Sequence, residues 1–421
     1  MTQRITVVGA GIVGLTTALA LHDAGYEVRV VDPALPGSGT SAANGGQLSW
    51  AFVAPLAEPD VPTKLLGWLL HSDSPLRWVP SLDPALPAWG LAFLRACRRK
   101  HALATTRTLL TLAEQGRPLL ADWRQRLALD IDWRANGKLI VYRDAKALDA
   151  ARHHVAFQRS QGVEQEILGR DALYVREPAL ARHGSALAGA VWTPGEEVGD
   201  CAACCRGIAE YLKERDVPFE QRRIERLEAH AGRLVAWHFN DGERETRRRD
   251  EVLLVAAGLS SRALLASAGL HLPLYPLKGY SLTVDLTEDD PVFDASVTDA
   301  LRKIVFARLG RRLRIAGMAD LDGWQPRPRA SRVALLKRQA ADFLPAMAER
   351  IHASDAWTGL RPATPDGKPR LGPTAIEGLW LNAGHGALGW TLSMGSAQAI
   401  RHAFEGDDTA LAPFRLDSRR N

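Results

Sequence analysis

The sequence has little cysteine, little excess of either charge, and no apolar run long enough to cross a bilayer. Four cysteines in 421 residues give no disulfide framework and suit a reducing compartment. Cys201, Cys204 and Cys205 lie close together, but no second CxxC and no paired histidine stands at a ligand spacing. A closed zinc site is therefore excluded, and the cluster reads as the small apolar face of a buried helix. His153 and His154 are adjacent, so on a helix their side chains diverge, and no metal is expected. Lys and Arg total 53 against 48 Asp and Glu, a net charge of +5. The basic clusters Arg98-Arg99-Lys100 and Arg247-Arg248-Arg249 are scattered rather than gathered on one face, which argues against a nucleic-acid partner. There is no internal repeat, no low-complexity tract, no Walker loop and no Ser-His-Asp order. At 46% hydrophobic and 24% charged residues, the chain has the composition of a globular protein of two or three domains. Residues 5–21 carry no charge and follow Arg4, but Gly9, Gly11 and Gly14 interrupt them and no clean cleavage site follows. They read as structure rather than as an export signal, and the protein is expected in the cytoplasm.

What is present is concentrated at the start. Ile5-Thr6-Val7-Val8 is a short β-branched run, as a buried parallel strand requires. Gly9-Ala10-Gly11-Ile12-Val13-Gly14 follows, then a helical pattern ending near Gly25, then a second strand ending at Asp32 and Pro33. Gly9 permits the tight turn, Gly11 lets a pyrophosphate approach the backbone, and Gly14 lets the helix pack on the sheet. The helix N-terminus offers unpaired N–H groups and a positive dipole to phosphates. Asp32 can accept hydrogen bonds from ribose hydroxyls and disfavours a 2′-phosphate, so the dinucleotide is FAD or NAD, not NADP.

The stretch that follows Asp32 favours FAD. Thr40, Ser41, Asn44, Gly45, Gly46 and Gln47 fall in a run of small and hydroxyl residues suited to close approach by a pyrophosphate and a flavin ring. Ser41-Ala42-Ala43-Asn44-Gly45-Gly46-Gln47-Leu48-Ser49, Tyr275-Pro276-Leu277-Lys278-Gly279-Tyr280-Ser281-Leu282, Gly359-Leu360-Arg361-Pro362-Ala363-Thr364-Pro365-Asp366-Gly367 and Leu381-Asn382-Ala383-Gly384-His385-Gly386-Ala387-Leu388-Gly389-Trp390-Thr391 occur in that order. Together they resemble the flavoproteins of the D-amino-acid oxidase type, nearest to the D-amino acid dehydrogenases. The resemblance implies an α/β fold: a Rossmann-like FAD-binding domain (1–95, 196–270 and 356–421) interleaved with an α+β substrate-binding domain (96–195 and 271–355). It also implies non-covalent FAD, with Ile224, Gly258 and the 385–391 segment completing the cofactor set. The implied activity is oxidation of D-amino acids to 2-oxo acids and ammonium, with electrons passed to a quinone or another electron-transfer acceptor. Alternatives within the fold are a D-proline or D-hydroxyproline dehydrogenase, an opine-oxidising subunit, and an oxidase using O₂. Outside enzymes, the alternative is a non-catalytic FAD-binding subunit.

Four residues are the candidates for chemistry. Arg361, bracketed by Gly359 and Pro362, has the planar fork that binds a carboxylate bidentately; its alternative is a structural pair with Asp366. Tyr280 is either a carboxylate donor or a core aromatic. Lys303 is either a substrate contact or a solvent-facing lysine. His385 lies in a Gly-His-Gly turn whose backbone N–H groups would face the flavin carbonyl, with direct proton transfer a minor reading. Trp50, Phe52 and Trp390 are candidate pocket walls. Two departures from relatives of the resembled family are Ala387, where glycine oxidase carries an arginine, and Asp299-Ala300-Leu301, where the dehydrogenases tend to carry Asp-Glu.

Helices are expected at 107–127, 145–161, 200–215 (N-capped by Asp200) and 332–343, and strands at 138–142, 223–230, 234–240 and 251–258. The apolar segments 65–70 and 89–94, followed by Arg95, Arg98, Arg99 and Lys100, have the Trp-Leu-basic character of a membrane-interface contact. They are read either as core segments whose basic end is solvated or as a peripheral contact with the inner membrane, and a partner subunit is a separate possibility.

Overall fold

The computed structural model describes residues 3–416, apart from 52, 54, 64–66, 68–72, 80–82, 161 and 183–185. The first strand, Arg4–Val8, lies between Glu27–Val31 and Glu251–Val255, parallel to both. These strands are β-branched and leucine-rich because both faces of a parallel sheet are covered. The sheet has six strands, in the order Arg370–Pro373, Leu379–Ala383, Glu251–Val255, Arg4–Val8, Glu27–Val31, Phe219–Glu220. Only its first pair is antiparallel.

One face carries the helices Ile12–Asp23, Arg99–Arg126, Cys201–Lys213 and Gly389–Phe404, which share a single core with Ile5, Val7 and Leu254. The other face carries the antiparallel sheet of Ile224–His230, Arg233–Phe239 and Arg244–Thr246 and the helix Ser260–Ser267, around Val8, Val31, Leu253 and Val255.

The second sheet is larger and mostly antiparallel. Its order is Ala356–Ala363, Tyr275–Asp285, Arg312–Leu321, Ile304–Leu309, Ser296–Asp299, Lys138–Tyr142, Gly189–Thr193, Glu166–Gly169, with Leu76–Trp78 also paired to Arg312–Leu321. The helix Ala330–Phe343 covers one face through Leu335, Leu336, Ala340 and Phe343, against Leu282, Phe306 and Ile315. The register brings Gly279 opposite Gly359. A bulge between Lys278 and Tyr280 leaves Met318 in the left-handed region, at φ 62°.

Strand 138–142 and the Asp200-capped helix fall where the sequence places them. Asp200 accepts from the N–H groups of Ala202 and Ala203. Cys201, Cys204 and Cys205 form part of the buried face of that helix, and among the described residues no cluster could hold a metal.

Two expected boundaries move. The strand Ala356–Ala363 pairs with Tyr275–Asp285, so residue 356 opens a strand of the larger sheet rather than of the nucleotide half. The helix expected at 107–127 starts at Arg99 and packs in the core of the parallel sheet, not with the second half. Its early buried positions, Ala102, Thr105 and Thr106, are too small or polar to show as hydrophobic periodicity.

Most of the expected apolar segment at 65–70 lies outside the described residues. In 89–94 the residues divide: Trp89 and Phe93 turn into the core, and Trp89 Nε1 donates to the Ala363 carbonyl at 3.0 Å, while Leu91 and Leu94 stay exposed. Among the described residues, no helix is long and apolar enough to cross a membrane.

Candidate active site

A cavity of about 1100 Å³ runs between the two sheets. One end is the glycine turn. Gly9 has φ 116°, and a Cβ there would stand 2.5 Å from the Ala256 carbonyl oxygen; a Cβ on Gly14 would stand 1.9 Å from the oxygen of Gly9. Only glycine tolerates either approach. Gly9, Gly11, Ile12 and Val13 line the cavity, whereas Gly14 does not: it serves the helix packing alone. Asp32 is held by two backbone donors, Ala10 N–H at 2.7 Å and Ala34 N–H at 2.8 Å. Each carboxylate oxygen keeps a lone pair for a ribose hydroxyl. Pro33, Ile224 and Gly258 complete this end.

The loop from Thr40 to Gln47 forms the middle of the wall, and both halves of the protein hold it. Ser41 Oγ accepts from the Ile12 N–H at 3.1 Å, at the start of the first helix. From the other side, Ser281 Oγ donates to the Ala43 carbonyl at 2.8 Å, and Arg314 donates to the Asn44 carbonyl at 2.7 Å. Gln47 Nε2 donates to Ser296. Asn44 Oδ1 also accepts from the Gly46 N–H, which tightens the turn. Thr40, Ser41, Asn44, Gly45, Gly46 and Gln47 all face the cavity.

The far end holds the candidates for chemistry. Gly386, Ala387, Leu388, Gly389, Trp390 and Thr391 line it as a 3₁₀ turn running into the helix Gly389–Phe404. A helix start directs its N–H groups and positive dipole end outward. His385 is buried, its Nε2 2.9 Å from Ser396 Oγ, and burial pushes its pKa down to about 3. It is therefore neutral and a poor base at neutral pH. Trp390 lines the wall and donates to the Gly199 carbonyl at 3.1 Å. Trp50 is buried in the core of the parallel sheet and is not among the lining residues, and Phe52 lies outside the described residues.

Arg361 reaches the cavity across Gly279, where a Cβ would stand 2.1 Å from one guanidinium nitrogen. Glycine at 279 is what makes room for the fork. Its Nη1 donates to the Met318 carbonyl at 3.1 Å, the group that the bulge turns inward. Asp366, the alternative partner, is taken by Arg370 at 3.1 Å. Among the described residues no carboxylate pairs with Arg361, and burial pushes its pKa down to about 10, with Asp320 acting the other way.

Tyr280 borders the cavity, but its hydroxyl donates to Asp320 at 2.9 Å and its ring packs in the core of the larger sheet. Burial, then Asp320, raises its pKa, so it keeps its proton. Lys303 is exposed at the rim, on a turn whose N–H groups at Leu301 and Arg302 are capped by the buried Asp299. Lys138, Met318 and Trp357 also line the cavity and carried no signal in the sequence. A lysine at the head of a strand reads as a surface residue, and a bulge at methionine has no residue signature.

A helix start at each end, a carboxylate beside the first, and a loop of small residues between them fit a dinucleotide whose second half is a flavin. Residues 4–403 match the family described as FAD dependent oxidoreductase, abbreviated DAO. The chain belongs to this family of FAD-dependent oxidoreductases, and FAD is its cofactor. It is 46% identical to D-amino acid dehydrogenase 2 of Ralstonia nicotianae, over 98% of this chain and 100% of the relative. It is 43% identical to D-amino acid dehydrogenase 2 of Pseudomonas aeruginosa, over 95% and 94%. Among solved structures it is similar to glycine oxidase from Geobacillus kaustophilus, with a TM-score of 0.74, 23% identity and full coverage of both chains. It is also similar to L-proline dehydrogenase from P. horikoshii, with a TM-score of 0.70, 14% identity and coverage of 98% and 96%. At those identities the structures speak for the fold alone.

The buried neutral His385 ties stability to pH. The unfolded chain protonates this ring below about 6.5, whereas the folded chain resists down to about 3. Between those values the unfolded state binds the extra proton, so stability falls as pH falls, by up to about 1.4 kcal/mol per pH unit from this group. Denaturant melts of His385→Asn from pH 4 to 7 should show a shallower slope than the parent. An unchanged slope would mean that His385 is not the group responsible.

Proposed function

We propose that the protein is a D-amino acid dehydrogenase, converting D-amino acids to 2-oxo acids and ammonium. The observation that carries this reading is Arg361, a cation without a carboxylate partner among the described residues, facing the FAD cavity. Leaving such a charge without a counter-ion is costly unless a ligand supplies one. An α-amino acid carboxylate does so through two parallel hydrogen bonds. The handedness of the substrate comes from the relatives, which are named D-amino acid dehydrogenases.

FAD bound in the cavity supplies a two-electron acceptor for the substrate's Cα–H bond. Arg361 fixes the carboxylate, and the Met318 carbonyl fixes Arg361, so the Cα–H bond is oriented by a part of the substrate that does not react. The residues 386–391 offer N–H groups to negative charge at the far end. Neither His385 nor Tyr280 is a base at neutral pH, so the amine enters without its extra proton and no side chain need remove one. Water then hydrolyses the imino acid to the 2-oxo acid and ammonium. The FAD is held without a covalent bond: among the described lining residues there is no cysteine, and His385 has its Nε2 on Ser396, so acid precipitation should release the flavin.

Arg361→Ala should lower kcat/KM for D-amino acids by about 2–4 kcal/mol of transition-state binding, mainly through KM, with FAD content unchanged. Gly279→Ala is the sharper test, because the three atoms nearest its methyl group all belong to the movable guanidinium of Arg361. It should keep the fold and the FAD and reproduce most of the KM defect. Parent kinetics in both variants would remove Arg361 from the substrate site.

The electrons then pass to a quinone or an electron-transfer partner, at the cytoplasmic face of the inner membrane. Exposed Leu91 and Leu94, with Arg98, Arg99 and Lys100 exposed beside them, support peripheral contact with an anionic leaflet. A quinone analogue should reoxidise the reduced protein much faster than air does. Anionic liposomes should retain the protein at low salt and release it at high salt. Rapid oxygen turnover with peroxide and no liposome retention would favour a soluble oxidase.

A further inference from the structure

Lys138 heads the strand Lys138–Tyr142 and is buried, yet it lines the cavity. Its Nζ donates to Ser49 Oγ at 3.1 Å, and the Ser49 N–H donates to Thr391 Oγ1 at 3.1 Å. Thr391 lies in the first turn of the helix Gly389–Phe404. A two-step chain of hydrogen bonds therefore ties the ammonium to the helix start at the far end of the cavity. Glu196 acts on Lys138 electrostatically, but it is not among the lining residues: it is buried and engaged by the Ala51 N–H at 2.8 Å. The cation meets the cavity and the carboxylate stands behind it.

We infer that Lys138 is an electrostatic partner of the flavin, adding its positive charge to that of the helix start and favouring the reduced, negatively charged cofactor. The inference rests on the cavity being the FAD site and is independent of which substrate is oxidised. In a water-poor cavity a fixed charge acts far more strongly than in bulk solvent. Burial disfavours the charged lysine, and the charge of Glu196 opposes that. Burial is the larger of the two, so the pKa lies below the usual lysine value, and Glu196 is the charge that favours the ammonium form.

The test uses the FAD-loaded protein without substrate. Sulfite, which adds to oxidised flavin and leaves it negatively charged, is the probe, beside the two-electron midpoint potential. Lys138→Met should weaken sulfite binding at least tenfold and lower the potential by about 30 mV or more, the equivalent of tenfold in a two-electron equilibrium. Lys138→Arg should restore most of both. Because Lys138→Met removes a positive charge that acts on the buried Glu196, the double variant Lys138→Met/Glu196→Gln is measured as well. It should shift in the same direction, since the lining charge is the one lost. Parent sulfite affinity and potential in either FAD-loaded neutral variant would overturn the inference. So would loss of FAD from all three variants, which would make Lys138 a structural residue. A parent protein without FAD would instead overturn the cofactor assignment itself.

Discussion

The site depends on one constraint: a guanidinium kept in the cavity wall with no paired carboxylate among the described residues. Carboxylates are not scarce nearby. Asp320 is taken by Tyr280 and Arg332, and Asp322 by Lys278 and Arg329. The acids of the larger sheet are thus neutralised by its own Lys278 and by Arg329 and Arg332 at the start of the covering helix, and among the described residues Arg361 is hydrogen-bonded to a carbonyl. A carbonyl orients a guanidinium without cancelling its charge. That is the condition for binding an anion tightly, and it explains why the acids close to the substrate end are buried with partners rather than removed.

The same logic explains the interleaved chain. The loop around Ala43 and Asn44 is held by the first helix on one side and by the strands of 281 and 314 on the other. The strand that carries Arg361 belongs to the larger sheet, and the turn at His385 that follows the parallel strand Leu379–Ala383 touches it through an isolated bridge between Ala363 and His385. Elements of the two sheets therefore alternate along the chain, and they meet at a seam stitched by contacts from both halves. Positions so fixed cost little reorganisation when a ligand arrives.

Much of this was legible in the sequence, for physical reasons. Ile5–Val8 is readable because a strand buried on both faces must be continuously apolar, and Asp200 because only a short acceptor side chain closes a helix start. Arg361 is readable because glycine and proline bracket it. The unreadable parts rest on contacts distant in sequence. Tyr280 meets Asp320 forty positions on, so strand alternation alone cannot say whether its hydroxyl faces a ligand or a buried acid. The start of the helix at Arg99 rests on Ala102, Thr105 and Thr106, which hydrophobic periodicity does not register. Lys138 looks like the polar end of a strand until Ser49 and Glu196 are brought around it.

The titratable groups point to a division of labour. His385 is too hard to protonate and Tyr280 too hard to deprotonate, so proton movement is left to water and to the substrate's own amine. What the protein contributes is fixed positive potential: the start of the first helix, the start of the last long helix, Arg361 and, on the inference above, Lys138. On the proposed function these act on anions, namely pyrophosphate, reduced flavin and carboxylate. Arg361, its pKa lowered only to about 10, keeps its charge between pH 6 and pH 8. On the proposed function, a rise in rate across that interval that comes from loss of the substrate's ammonium proton should move with the amine pKa when substrates of different basicity are compared.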